Sequence, residues 1–224
     1  MHIILFDIDG TLINTGGAGI ASLWQAFLSE FDVQKPDREF DFRGWTDRGI
    51  VSELFKAHDI ENSPQNWQRF LQGYLQHLPT NLVKRQGIAL SGVFSLLEKL
   101  QSRPNVLLGL LTGNVQQGAQ IKLTHYELAS YFEFGGYGDC HHDRNDVAKE
   151  SLQAARVHLS QDVKITSTWV IGDTPQDIRC ARAIEAQAVA VATGSYSSQE
   201  LSNAKPDLLF EDLVEVELLL DLLI

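Results

Sequence analysis

Four short apolar runs, each cut off by a polar residue or a glycine, limit what this chain can fold into more than any other feature. They are residues 3–6 before Asp7, 106–111 before Thr112, 169–171 before Gly172 and 188–192 before Thr193. Runs of this length, apolar without alternation, read as parallel strands buried on both faces. Helix-length amphipathic segments lie between them, at residues 93–100, 116–128, 147–159 and 176–186. Strand–helix alternation predicts an α/β fold with a doubly wound, Rossmann-like parallel sheet. Ligands of such sheets collect beyond the carboxyl ends of the strands, so Asp7, Thr112 and Asp173 are expected to share one site.

Residues 14–87 break the alternation. Helical patterns recur at 18–31, 49–58 and 67–76, with no convincing buried strand among them. The expected organisation is an α/β core from residues 1–13 and 88–224, with an α-helical cap domain inserted at 14–87. Residues 207–210 read as an edge strand and 211–224 as a leucine-rich closing helix. A length of 224 residues with 44% apolar content suits one domain carrying a smaller insertion. A net charge of −11 without a basic run argues against a nucleic-acid partner. No apolar stretch approaches the ~20 residues that span a bilayer, and the first apolar run stops at an aspartate without a basic leader, so neither a membrane span nor a secretion signal is expected. Cys140 and Cys180 lack CxxC spacing, which predicts no disulfide framework and a cytoplasmic location.

The chemistry-bearing residues fall where these strands end. Asp7 and Asp9 stand two apart in Phe6-Asp7-Ile8-Asp9-Gly10-Thr11, and extended geometry turns both to one face. Neighbouring carboxylates oppose each other's ionisation, a conflict that a divalent cation relieves; taken alone, the pair also reads as an Asx turn ending a strand. In Gly172-Asp173-Thr174-Pro175-Gln176-Asp177, Asp177 lies about one helical turn beyond Asp173. Carboxylate oxygens suit Mg²⁺, and Asp7 and Asp173 are placed to share such an ion, although Asp before Pro is also a good helix cap. At Thr112-Gly113-Asn114 a hydroxyl, a glycine and backbone amides at a helix start suit either phosphate binding or a plain cap.

In order and spacing these segments resemble the signatures of the haloacid dehalogenase superfamily, in particular its branches with a helical cap, such as the phosphoglycolate phosphatases and beta-phosphoglucomutases. The resemblance spans nearly the whole chain. It implies a magnesium-dependent phosphatase acting on a small phosphorylated metabolite, with Asp7 as nucleophile and Asp9 as general acid and base. Asp7, the carbonyl of Asp9 and Asp173 would hold Mg²⁺ with Asp177 close by, and Thr112, Gly113 and Asn114 would hold the phosphoryl oxygens. The family's third signature, a lysine usually followed by proline, is missing here; Lys205-Pro206 comes too late in the chain. Registering the helix that ends at Ala154-Ala155 puts Arg144 in the lysine's place, with Lys149 and Lys122 as alternatives. The presence of Asp9 disfavours a dehalogenase. A phosphomutase of the same fold stays open, as does a non-catalytic phosphoacceptor or ligand-sensing module.

Other segments invite weaker readings. Cys140-His141-His142-Asp143 has zinc-ligand types but adjacent residues close poorly around one ion, so a surface loop is expected. Gly16-Gly17-Ala18-Gly19 reads as a hinge into the cap rather than a dinucleotide fingerprint. Trp24, Trp45 and Trp67 are expected chiefly in cap packing. Arg43-Gly44-Trp45-Thr46-Asp47-Arg48 resembles the family's substrate-reading loop, except that Trp45 stands where an arginine is usual, and either Arg43 or Arg48 is a candidate for an anionic substrate tail.

Overall fold

The molecule is organised about β1 (His2–Phe6). Ile4 and Phe6 pack into one apolar cluster and Ile3 and Leu5 into another, and all four are fully buried. A strand covered on both faces has no solvent side for polar residues, which explains the unbroken run ahead of Asp7. β1 pairs in parallel with β4 (Val106–Leu111) on one side and β6 (Ser167–Gly172) on the other. In the computed structural model, which describes residues 1–34, 41–159 and 162–223, the main sheet has the order β5-β4-β1-β6-β7-β8, all parallel. Here β5 is Phe134–Gly136, β7 is Gln187–Val191 and β8 is Leu208–Phe210. The chain winds outward through β4 and β5, then crosses back to β6 and winds outward the other way. The crevice over β1 is therefore the switch point where such sheets bind ligands.

The inserted helices are α1 (Ala18–Phe31), α2 (Asp47–Ala57) and α3 (Pro64–Arg85). Both connections to the core pass through one short antiparallel ribbon, β2 (Ile13–Asn14) against β3 (Ile88–Ala89). Phe27 is the centre of the cap's packing, its ring centroid 5.6 Å from Phe55 and 5.4 Å from Phe70. The buried Asn81 amide donates to Ser22 Oγ (2.9 Å) and Gln25 Oε1 (2.7 Å), tying α3 to α1. α3 continues to Arg85 rather than ending at 76, passing through Pro79. A proline inside a helix costs about 3 kcal/mol, and the fully buried Leu78 and Leu82 on either side offset it by packing.

The core helices are α4 (Val93–Gln101), α5 (Gln116–His125), α6 (Arg144–His158), α7 (Pro175–Ala183), α8 (Ser198–Asn203) and α9 (Val216–Leu223). Each overlaps an expected segment except α8, whose Ser197/Glu200 capping box was present in the sequence. β5 was also unexpected: with two glycines in three residues it has neither propensity nor periodicity. Its place is set by packing, since a Cβ on Gly136 would fall 2.4 Å from Ser151 Oγ on α6. The end of the expected closing helix, Ile224, lies outside the described residues.

Candidate active site

Strand register sets the level of the site. Phe6 is opposite Leu110 of β4 and Ile171 of β6, so Asp7, Thr112 and Asp173 emerge within about a residue of one height. Asp7 is nearly inaccessible, and its backbone N–H donates to the Ile171 carbonyl at 3.0 Å. Asp173 receives the Thr11 hydroxyl at 3.3 Å. Its carboxylate is walled by two glycines that tolerate no side chain: a Cβ on Gly10 would lie 2.4 Å from Oδ2 and one on Gly194 1.7 Å away. Gly10 also has φ +86°, a left-handed conformation that favours glycine.

Asp177 sits in the first turn of α7, accepting from the Thr174 amide (3.0 Å) and hydroxyl (2.7 Å) in a capping box. Arg144, in the first turn of α6, reaches Asp177 Oδ1 at 2.6 Å and Asp7 Oδ1 at 3.0 Å. Arg144 is buried, and its Nε has no hydrogen-bond partner, which leaves a donor unsatisfied at the site. Lys149 is a correction to the alternatives: its ammonium is exposed and pairs with Asp146 one turn back on α6. Lys122 is buried, but its partner is Asp9 rather than Asp7.

The second cluster surrounds Asp9. Lys122 Nζ donates to Asp9 Oδ2 and to Asn114 Oδ1, both at 2.6 Å. The Asn114 amide nitrogen donates to Asp9 Oδ2 and to Thr112 Oγ1, both at 2.8 Å. Thr112 is wholly buried behind this ring, while Gly113 and Asn114 line the cavity. Across the cavity Asp47 docks the insertion onto the core: its N–H donates to the Gly113 carbonyl (2.7 Å) and its carboxylate accepts from the Val115 amide at the start of α5 (2.8 Å). The Thr46 hydroxyl reaches the His142 carbonyl at 3.3 Å. A Cβ on Gly113 would lie 2.2 Å from the Trp45 carbonyl, so glycine is what permits this approach.

Sequence reading missed the role of Asp47, and it named Lys122 only as an alternative to Arg144, without its partner Asp9. A lysine placed four residues after Gly118 and three after Ala119, on the face of α5 that is buried, was the available signal. The remaining candidates have other partners. Arg43 lines the cavity but is paired with Asp41 at 2.9 Å and stacks on Tyr196, and Arg48 stacks on Trp67. His141 pairs with Glu150, and Asp143 caps α6.

Electrostatics match the crowding. Burial pushes the Asp7 carboxyl up to about 7 against the opposing pull of Arg144, with Asp177 and Asp9 adding to the rise. Asp173 is raised well above the usual range by burial and by Asp177 and Asp7, against the pull of Arg144. Burial pulls Arg144 and Lys122 down, but their carboxylate partners outweigh it and both cations are held charged. Carboxylate oxygens of Asp7, Asp173 and Asp177 lie within 4.8 Å of one another, and the guanidinium of Arg144 balances only part of their charge. An all-oxygen, under-neutralised, buried donor set fits a hard divalent cation. The cavity between insertion and core measures about 300 Å³.

A doubly wound sheet with paired aspartates at its switch point and a helical cap over them defines a class of hydrolase, and residues 4–191 match one family throughout: the chain belongs to the haloacid dehalogenase-like hydrolases. Among individual relatives, it is 30% identical over 213 residues to a phosphoglycolate phosphatase of Synechococcus elongatus, covering 94% of this chain and 93% of that protein. It is 25% identical to the pyrophosphatase PpaX of Oceanobacillus iheyensis, over 95% of this chain and 94% of that one. The solved structure of CbbY from Rhodobacter sphaeroides in complex with phosphate shares the fold, with TM-score 0.75 at 16% identity over 96% of this chain and 95% of that one. Among the described residues no helix is long and apolar enough to cross a membrane.

Proposed function

We propose that this hydrolase is a Mg²⁺-dependent phosphatase that cleaves small phosphate monoesters through an aspartyl-phosphate on Asp7. The observation that carries the reading is the buried group of Asp7, Asp173 and Asp177 around Arg144, with the half-exposed Asp9 beside it on the same cavity. Mg²⁺ held by Asp7, Asp173 and the Asp9 carbonyl neutralises charge on the phosphoryl oxygens and the nucleophile when bound. An Asp7 oxygen attacks phosphorus and the ester P–O bond breaks, while Asp9 gives its proton to the departing alcohol. Water then attacks phosphorus, Asp9 takes the proton, and the Asp7–phosphorus bond breaks to release phosphate. Splitting one displacement into two leaves the protein mainly the tasks of in-line positioning and charge stabilisation. Arg144 and the Thr112–Gly113–Asn114 loop are assigned to the phosphoryl oxygens, with Asp177 holding Arg144 in place.

In this reading residues 14–87 form a cap that closes the site, its hinges beside the β2–β3 ribbon and its latch at Asp47. A cavity of about 300 Å³ suits a phosphate with a short tail. Phosphoglycolate and pyrophosphate, named for two relatives, are the first substrates to try. The cysteines are unpaired, consistent with a cytoplasmic enzyme. The test is phosphate release from p-nitrophenyl phosphate and a panel of phosphorylated metabolites, with and without Mg²⁺. Turnover is expected only with the metal and should fall at least ~1,000-fold in Asp7→Asn. Unchanged activity in that variant sinks the proposal, and isomerised sugar phosphate in place of free phosphate replaces it with a mutase.

A further inference from the structure

The ring formed by Asp9, Asn114 and Lys122 gives Asp9 a buried cation that the phosphate contacts assigned above do not use. We infer that Lys122 is a positioning residue for Asp9: through its bonds to Asp9 and Asn114 it fixes the carboxylate that moves the proton. This rests on the phosphatase reading above.

The two partners differ in freedom. The Lys122 side chain is 4% exposed and the Asp9 side chain 39%, so a buried, immobile ammonium holds a carboxylate that faces the cavity. Both donors, Lys122 Nζ and Asn114 Nδ2, converge on Oδ2 of Asp9. That arrangement assigns proton transfer to the other carboxyl oxygen, Oδ1. Lys122 Nζ also donates to Asn114 Oδ1, and Asn114 Nδ2 donates to Thr112 Oγ1, so the ring fastens Asp9 to the loop that follows β4. The insertion completes the pocket around the ammonium, since a Cβ on Gly19 would fall 3.4 Å from Nζ and 3.8 Å from the Tyr74 hydroxyl. Arg144 meanwhile takes Asp7. Each aspartate of the pair thus has its own buried cation, Arg144 for Asp7 and Lys122 for Asp9. A carboxylate held in one orientation transfers a proton with less reorganisation than one free to rotate.

The experiment compares wild type, Lys122→Met and Lys122→Arg on p-nitrophenyl phosphate, whose leaving group needs little protonation, and on an alkyl phosphate, whose leaving group needs it. Lys122→Met is expected to lower kcat ~10- to 100-fold on both, with KM falling alongside kcat on p-nitrophenyl phosphate and changed less than about 3-fold on the alkyl phosphate, and Lys122→Arg to lie between it and wild type. With p-nitrophenyl phosphate, rapid mixing of Lys122→Met should show a burst of about one equivalent of p-nitrophenolate. The first displacement is then spared while hydrolysis of the phosphoenzyme, which requires Asp9 as base, is slowed. With the alkyl phosphate no burst is expected. A rise in KM at constant kcat makes Lys122 a substrate-binding cation and overturns the inference, as does a kcat loss with no burst. If Lys122→Met does not fold, Lys122→Arg decides alone: lowered kcat without a rise in KM supports the inference, and any other pattern overturns it. A wild type with no Mg²⁺-dependent hydrolysis removes the phosphatase reading and this inference with it, whereas an active wild type with a raised KM in the variants removes this inference only.

Discussion

On its core side the cavity is lined by Asp7, Asp9, Asp173, Lys122 and Arg144, all ionisable, whereas the insertion's side, apart from Arg43, Asp47 and Tyr74, presents apolar side chains such as Ile20, Leu23, Ile50 and Phe70. Asp7 and Asp9 persist in a low-dielectric setting because Arg144 and Lys122 are bonded to them, and removing either cation leaves its carboxylate partner uncompensated. The apolar side is held by area and shape, where one side chain changes the energy by a small increment. The contrast teaches that the core's arrangement is rigid and suited to one reaction, while the insertion's wall is open to adjustment and suited to selecting the substrate.

The largest effect should come from breaking the charged side. Arg144→Met leaves Asp7 and Asp177 without their shared cation, and is expected to cost roughly 3–5 kcal/mol in denaturant unfolding and at least ~100-fold in kcat. Near-normal stability would mean that the two sides do not differ as described. A smaller change is expected from the apolar side: Ile50→Ala, at a half-buried lining position, should alter KM for substrates with carbon tails by about 3- to 10-fold and kcat by less than about 2-fold. A kcat collapse in steady-state assays would erase the distinction between the two walls.

The smallest effect probes the contact between them. Burial pushes Asp47 up to about 6, with Lys122 pulling the other way. Because the folded value is above the unfolded one of 3.8, Asp47 favours the folded state most below pH 3.8, and that contribution fades as pH rises to about 6. Asp47→Asn keeps an oxygen to accept from the Val115 amide but removes the charge. It should therefore gain on the order of 1 kcal/mol at pH 7 relative to wild type and lose that gain near pH 4, as read from urea unfolding at both pH values. A variant less stable than wild type at pH 7 would show that the charge of Asp47 is needed where insertion meets core.

Strands β1, β4, β6 and β7 were legible because each is a continuous apolar run, the composition that a strand covered on both faces requires. The glycine-rich β5, the two-residue strands of the ribbon and the passage of α3 through Pro79 were not, since neighbours rather than their own residues stabilise them. Asp7, Asp9, Asp173 and Asp177 could be named in advance because strand ends and a capping box fix them locally.

By itself, then, the sequence determined the four central strands of the sheet, the inserted helices and the acidic residues at the strand ends, all consequences of local pattern. Which cation meets which carboxylate was decided only by tertiary structure. Arg144 reaches Asp7, Lys122 reaches Asp9 across 113 positions and Lys149 reaches neither, because the faces that α5 and α6 turn toward the strand ends depend on how they pack. Asp47 joins the site for the same reason, since the partner of a buried charge is chosen by proximity in space, which local pattern does not encode.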